Sequence, residues 1–252
     1  MNKRTRAVAL TIVMVALCTA TAALAVFPGQ RLDIAWTLGT GVGMPALQGR
    51  VDAVEAKLID GQPLEPSERA FLGDLYGAMA TGAQVTGVLR QSGALMAHYL
   101  QESGEDLVID EAIFLGSRKV RAVMRALRRR AQRQGCTGGE TSAPFHMPDR
   151  EHLDSFFGLY WGTVSVEARG DEQGGCVLTW TAEVPWTWPT YAGLAARRGT
   201  PRAELHRLPN LQSLLWGEAH ALHIHNGLGG ELTDLGLARP FVARARWEER
   251  TP

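Results

Sequence analysis

Four side chains near the end of the sequence have the chemistry of transition-metal ligands. They are Glu218, His220, His223 and His225, a carboxylate and three imidazoles within eight residues. Zinc and related ions accept such donors. The HExxH spacing is absent, and on a helix Glu218 lies far round from His220, whereas His220 and His223 share a face. We take Glu218, His220 and His223 as candidate zinc ligands. Apart from zinc, the protein is predicted to need no cofactor. The alternatives are that these residues act in acid–base catalysis, or that the histidines are structural or exposed to solvent.

A second group of side chains is defined by its charge. Ser117 suits an N-cap, and the apolar spacing of Val120, Val123, Met124 and Leu127 predicts an amphipathic helix that ends near Arg133. The opposite face is basic: Arg118, Lys119, Arg121, Arg125, Arg128, Arg129, Arg130 and Arg133. No acidic residue within the helix balances these charges. The candidate binding residues are Arg121, Arg125, Arg128 and Arg129.

The basic helix needs a source of negative charge, and two kinds are open. One is outside the chain, as an anionic lipid or an acidic envelope protein. The other is the acidic stretch just upstream, with Glu102, Glu105, Asp106, Asp110 and Glu111. Nucleic acid is not expected as a partner, because no stacking aromatic residues are interleaved with the basic ones.

Other catalytic patterns do not occur in the sequence. There is no GxSxG elbow, and no serine stands beside a recognisable base. The stretch Gly39–Gly43 lacks the GxGxxG spacing of a dinucleotide-binding loop, which favours a linker. The sequence therefore identifies no catalytic residue, and it leans against an enzyme without deciding the question.

The first 27 residues have the form of an export segment. Lys3, Arg4 and Arg6 precede an uncharged apolar stretch from Ala7 to Phe27, as in a cleaved signal peptide or a single membrane anchor. A small-x-small pattern at residues 23–25 favours cleavage, whereas the length of the stretch favours retention. Both outcomes place the protein in a bacterial envelope, either anchored in the inner membrane and facing outward or periplasmic or secreted.

Export gives the two remaining cysteines a role. Cys136 and Cys176 each lie in a glycine-rich stretch, and an oxidising compartment favours a disulfide between them. The alternative is two free thiols. Without a CxxC pair they are too few for a structural zinc site.

The elements that must position these residues fall into two parts. Helical periodicity dominates residues 45–134, aromatic-rich alternation with turn residues follows from residue 152, and a loop at residues 135–150 should separate the two parts. We expect an α+β protein with an N-terminal membrane or signal helix (1–27), a helical, bundle-like region (28–134) and a small, aromatic-cored domain (135–252) that is antiparallel and β-rich with short helices. Strands at residues 156–168 and 176–188 should pair as a hairpin, and the apolar side chains Trp180, Ala182, Val184, Trp186 and Trp188 share one face that we expect to be buried. Helices should begin near Leu47, Pro66 and Asn210; the first should stop before Asp60-Gly61, and Thr81–Gly82 is a candidate break in the second. Residues 107–109 can add a short strand, and a turn at residues 227–230 should precede a short helix from about 232 to 238.

Two short stretches resemble those of known protein groups. The run His98–Asp106 is similar to a "YL..SGE" segment of exported, mainly actinobacterial proteins of unknown function and of polymorphic-toxin-type domains, and Leu235–Phe241 is similar to their ending. A more distant resemblance is to colicin M-like toxins, which cleave the lipid-linked peptidoglycan precursor. The acidic motif of the toxin-like families is missing after the hairpin, where Val184–Trp188 stands instead. The resemblance implies a shared architecture and transfers no catalytic residue.

The favoured function is binding or assembly in the envelope, with membrane attachment through the N-terminal segment. It follows from the export segment, the one-sided basic helix and the lack of a coherent catalytic set. Two alternatives stay open: a hydrolase of an envelope component, with or without a metal, and an immunity-like accessory protein. The formal net charge of the 252 residues is zero, so only the local basic face would attract an anionic partner.

Overall fold

The structure is a computed structural model that describes residues 30–85, 90–101, 103–137, 139–146, 159, 161–172, 175–198, 222–224 and 226–251. Over these residues the chain is a mixed α and β protein. In chain order its elements are α1 (Gln30–Thr40), α2 (Met44–Ile59), α3 (Pro66–Val85), α4 (Arg90–Leu100), β1 (Leu107–Val108), α5 (Ala112–Gly116), α6 (Arg118–Arg133), β2 (Thr141–His146), β3 (Trp161–Gly170), β4 (Cys176–Trp186), α7 (Tyr191–Arg198), α8 (Asn226–Asp234) and β5 (Phe241–Thr251).

These elements belong to two compact units. The first is formed by residues 1–87, 100–102 and 187–239, and the second by residues 88–99, 103–186 and 240–252. Each unit therefore combines stretches that are far apart in the sequence. Within the described ranges no helix is long and apolar enough to cross a membrane. The apolar segment predicted at residues 1–27 lies outside those ranges.

In the first unit, glycines separate α1 from α2. The stretch 39–43, which the sequence suggested was a linker, begins inside α1, since that helix ends at Thr40. Gly41 and Gly43 follow with φ angles of 74° and 80°. Glycine adopts this left-handed conformation without a steric penalty, so the chain can turn here directly from one helix into the next.

The second helix forms where the apolar spacing predicted it. Leu47, Val51 and Val54 are buried on one side of α2. The helix ends at Ile59, just before Asp60-Gly61, as expected. Gly61 has φ of 68°, a left-handed conformation that commonly terminates helices. The predicted amphipathic helix is thus confirmed.

Of the three glycines in α3, Gly77 is the one packed against another element; at Gly73 and Gly82 an added Cβ would have nothing within 4 Å. A Cβ atom added at Gly77 would lie 3.4 Å from the guanidinium carbon of Arg31 in α1. The Nε of Arg31 donates to Asp74 Oδ1 at 2.6 Å, so the two helices approach one another at this glycine. The break predicted near Thr81–Gly82 does not occur there, because α3 continues through both residues. The Thr81 hydroxyl donates to the carbonyl oxygen of Gly77 at 3.0 Å within the same helix.

Aromatic rings also pack against a glycine-rich helix in this unit. A Cβ at Gly227 would meet the Tyr191 ring at 2.3 Å, and one at Gly229 would meet the Trp188 ring at 2.6 Å. The sequence suggested a turn at residues 227–230 and a helix only from about 232 to 238. Instead α8 begins at Asn226 and ends at Asp234. The rings occupy the space that side chains would fill, which offsets the helix-breaking tendency of glycine.

The second unit contains a five-stranded sheet of order β1-β5-β4-β3-β2. The predicted hairpin is confirmed as β3 and β4, which pair antiparallel from Thr163 opposite Glu183 to Gly170 opposite Cys176. Only β1 runs parallel to its neighbour, β5. The sheet is therefore mixed. Its four strands from residues 135–252 pair antiparallel, as predicted, and the parallel strand β1 comes from the region predicted to be helical. On β4 the predicted apolar face is buried, with Trp180 and Trp186 at its two ends.

The sequence analysis missed strand β2. Residues 135–150 were expected to form a loop, yet Thr141–His146 pairs antiparallel with β3 at the edge of the sheet. Pro144 obscured this strand, since proline lacks the N–H that an interior strand needs and is tolerated at an edge. Next to it, a Cβ at Gly162 would lie 2.2 Å from the carbonyl oxygen of Glu183 and 2.8 Å from the Phe145 ring. Glycine is the only residue that fits this position.

Candidate functional site: the basic face of helix α6

Helix α6 is placed by its cap and by its apolar stripe. Ser117 Oγ accepts a hydrogen bond from the backbone N–H of Val120 at 3.4 Å, which confirms the predicted N-cap. Val120, Met124 and Leu127 are buried, and the helix packs against β2 and β3. The apolar side is consequently fixed on the sheet, and the opposite side faces solvent.

The solvent side of α6 carries a continuous set of cations. Arg121, Arg125, Arg129 and Arg133 follow at intervals of four residues and are all exposed. At 1.5 Å per residue the row is about 18 Å long. Lys119 and Arg130 are exposed on its flank. We call these six residues the basic face.

Arg128 belongs to the interior contacts of the unit and not to the basic face. It is half-buried and forms an ion pair with Glu249 of β5, with Nη2 at 2.6 Å from Oε2. The same carboxylate accepts a hydrogen bond from the indole N–H of Trp180 at 3.2 Å, and that ring is fully buried. Of the four arginines singled out from the sequence, Arg128 thus connects the helix to the sheet, and the other three remain exposed.

Two of the upstream acidic residues, Asp106 and Asp110, make contacts outside α6. Asp106 pairs with Arg244 of β5 at 3.2 Å. The Oδ1 of Asp110 accepts from the backbone N–H of Ala112 at 2.8 Å, where it precedes α5. Glu102 lies outside the described residues. The alternative of neutralisation within the fold therefore finds no contact among the described side chains of Asp106 and Asp110.

Most of the basic face has no partner in the part of the chain that the structure describes. Arg121 Nη1 donates to the carbonyl oxygen of Leu115 at 3.2 Å. For five cations no side-chain hydrogen bond or ion pair occurs among the described residues: Lys119, Arg125, Arg129, Arg130 and Arg133. Guanidinium groups in this state retain their full set of donors for phosphate or carboxylate oxygens.

The uncharged residues on this side of the helix are small or polar. Ala122, Ala126 and Gln132 are exposed between the cations. Neither an acidic nor an aromatic side chain occurs anywhere in α6. The surface therefore offers mainly positive charge and hydrogen-bond donors, and its largest apolar side chain is the half-buried Val123.

A disulfide lies just beyond the C-terminal end of α6. Cys136 and Cys176 form it as predicted, with their Cα atoms 5.7 Å apart and a separation of 40 residues in the sequence. Cys136 has φ of 57°, which is unusual for a residue other than glycine. The bond links the residues that follow the basic helix to the start of β4, and it is consistent with an oxidising, exported location.

The predicted metal residues are described only in part. Glu218 and His220 lie outside the described residues. His223 is half-buried in a segment without regular secondary structure, and residues 210–221, where a helix was predicted, lie outside the described residues. Its backbone N–H donates to Gln48 Oε1 at 2.6 Å, and its carbonyl oxygen accepts from Gln48 Nε2 at 3.0 Å. Among the residues that the structure covers, no group of three His, Cys, Asp or Glu side chains could hold a metal ion.

Sequence reasoning missed a buried polar cluster in the first unit. Glu55 is only 3% exposed, and Tyr76 and Tyr191 are buried near it. Burial raises the pKa of the Tyr191 phenol well above its usual value, and the carboxylate of Glu55 adds to the rise. The phenol therefore stays protonated and can donate a hydrogen bond but cannot act as a base. The available signal was the position of Glu55, four residues after Val51 on the apolar side of α2.

Glu231 extends this cluster to α8. Its Oε1 accepts the backbone N–H of Tyr191 at 2.9 Å, at the first residue of α7. Burial raises the pKa of the Glu231 carboxyl, the hydrogen bond from Tyr191 lowers it, and Asp234 raises it further. The Glu231 carboxylate thus holds the backbone of Tyr191 at the start of α7, and Glu55 lies near its phenol.

Comparison with known proteins gives no further guide to the site. No family model, no curated protein and no solved structure matches this chain.

Proposed function

We propose that this protein is an exported binding module that attaches to an anionic partner through the basic face of α6. The observation that carries the proposal is the row from Arg121 to Arg133, exposed along one side of a helix whose other side is buried on the sheet. Charges that have no partner among the described residues can meet charges of another molecule, and several on one rigid helix act together. Arginine suits this role because its planar group binds phosphate and carboxylate in bidentate fashion.

Two further observations support an exported location for this activity. The disulfide would persist in an oxidising compartment, where the apolar N-terminal stretch would send the chain. The same stretch, if retained, would hold the module at a membrane. The hydrolase alternative receives no comparable support, because His223 is the one described member of its proposed residue set and no described metal group exists beside it.

The experiment compares two double variants with the same change in net charge. Arg125→Glu with Arg129→Glu reverses the charge on the basic face. Arg246→Glu with Arg250→Glu reverses it at two exposed positions of β5, in the same unit. The probe is phosphocellulose, and the measurement is the salt concentration at which each full-length protein elutes. Circular dichroism confirms that both variants are folded.

We expect the α6 variant to elute at much lower salt than the wild-type protein, and the β5 variant to elute close to it. The reason is that clustered arginines bind a polyanion together, whereas scattered ones contribute little after screening. Equal elution of the two variants would show that only net charge matters, and the proposal would then fail.

A further inference from the structure

The composition of the basic face indicates what kind of anionic partner it fits. Interfaces between folded proteins are usually anchored by buried aromatic, Met or other apolar side chains, with charges at the rim. On α6 the exposed uncharged positions are Ala122, Ala126 and Gln132, which provide no such anchor. Exposed ion pairs alone add little to the affinity of a protein–protein complex. The basic face is thus poorly suited to a folded acidic partner.

A bilayer surface places different demands on the helix. It presents many mobile phosphates at one level and needs no matching shape, only a row of cations facing outward. The cations from Arg121 to Arg133 extend for about 18 Å along the helix, long enough to meet several headgroups at once. Each basic residue near an anionic surface improves partition by a factor of about five, so four in a row give about 600-fold.

The burial of the apolar stripe decides how deeply α6 would enter. Met124 and Leu127 are each 4% exposed and face the sheet, so the helix has no free apolar side to insert among acyl chains. Binding would be limited to the headgroup layer and would weaken with salt. A helix that inserts through its apolar side would instead need those residues exposed.

We infer that the basic face of α6 binds the headgroup surface of bilayers that contain anionic phospholipid, with the guanidinium groups donating to lipid phosphates. This inference rests on the proposed function and names its partner. It assigns Arg125 and Arg129, in the middle of the row, to the centre of the contact.

The test is arginine footprinting of the wild-type, full-length protein with phenylglyoxal, read residue by residue by mass spectrometry. The protein is mixed with vesicles of phosphatidylcholine alone or of phosphatidylcholine and phosphatidylglycerol in equal parts. We expect Arg125 and Arg129 to be protected severalfold by the second kind of vesicle only, and to lose this protection at high salt. Arg246 and Arg250 of β5 serve as internal controls and should react equally in both. Because the reading is made per residue, it is independent of any insertion of residues 7–27.

Three results would overturn the inference: equal reactivity of Arg125 and Arg129 in the two mixtures, protection that persists at high salt, or equal protection of the β5 arginines. The double variant Arg125→Glu with Arg129→Glu provides the second measurement, and its extra partition into the anionic vesicles should be at least about 30-fold weaker than that of the wild-type protein. If the double variant loses binding to phosphocellulose but the wild-type protein shows no protection by vesicles, the proposed function stands and only the lipid is excluded as its partner. Unchanged elution from phosphocellulose would remove the proposed function itself.

Discussion

Breaking the disulfide should lower the stability of the second unit by an amount that the sequence separation sets. Cys136 and Cys176 are 40 residues apart. In the chain-entropy description, closing a loop of this size removes roughly 13 cal/mol/K from the unfolded chain, which is about 4 kcal/mol at 25 °C. For a chain of this size, that loss corresponds to a fall in Tm of about 8–16 °C.

The measurement is thermal unfolding followed by near-ultraviolet circular dichroism, with and without reductant. The Tm of the wild-type protein should fall by this amount when the disulfide is reduced. The variant Cys136→Ser with Cys176→Ser should have the lower Tm from the start, and reductant should not change it. A wild-type Tm that reductant does not change, or two thiols that react with iodoacetamide in the native protein, would refute the reasoning.

A second variant separates the crosslink from the backbone conformation. Cys136 has φ of 57°, which costs about 1 kcal/mol for a residue with a Cβ and nothing for glycine. Cys136→Gly with Cys176→Ser should therefore be more stable than the double serine variant by about 1 kcal/mol, while still lacking the disulfide. If the glycine variant is no more stable, the left-handed conformation of residue 136 carries no strain once the bond is gone.

Two further predictions concern single side chains. Burial raises the pKa of the Glu231 carboxyl above its usual 4.5, so the folded protein holds this proton more tightly than the unfolded chain and loses stability as the pH rises from 4.5 through the raised value. Glu231→Gln, which keeps an acceptor for the Tyr191 N–H, should flatten this dependence and raise the urea midpoint at neutral pH; a variant with an unchanged pH profile would contradict the assignment. Gly162→Ala places a Cβ 2.2 Å from the Glu183 carbonyl oxygen and should cost about 3 kcal/mol in urea unfolding. Its control is Gly170→Ala in the same strand, where nothing lies within 4 Å; equal midpoints for the two alanine variants would contradict the steric argument.

Local sequence patterns were sufficient for the elements whose partners are also local. Helix α6 was predicted from Ser117 and its apolar stripe. The β3–β4 hairpin was predicted from the alternation of apolar and polar residues on either side of a polar turn. Both depend on residues within one short stretch. The same is true of α2, where the apolar spacing fixes the side that is buried.

Tertiary contacts decided the elements that the patterns did not identify. Helix α8 exists despite three glycines because the rings of Tyr191 and Trp188 lie against it, and nothing local to residues 226–234 indicates those rings. Strand β2 is stable because β3 pairs with it beside a proline. Residues 187–239 belong to the same unit as residues 1–87 because of contacts between stretches that are distant in the sequence. Sequence periodicity shows only where helices are followed by strands, so it could not predict this grouping.

The candidate site was predictable in its charge and not in its detail. Composition alone identifies the basic side of α6, but it cannot tell Arg128 from Arg125, since both belong to the same polar set. The difference arises from Glu249, more than a hundred residues later, which pairs with Arg128 across the sheet. Such an assignment needs the register of β5 against β4.

The position of β5 sets the order in which the second unit can be completed during synthesis. This strand, which is the last element described, lies between β1 and β4, so the sheet stays in two parts until residues 241–251 are available. Until then β4 presents an unpaired edge beside the buried rings of Trp180 and Trp186. An open apolar edge of this kind invites pairing with other chains. Any truncation that removes β5 should therefore produce aggregation rather than a smaller folded domain, and the nascent chain would need protection until β5 emerges.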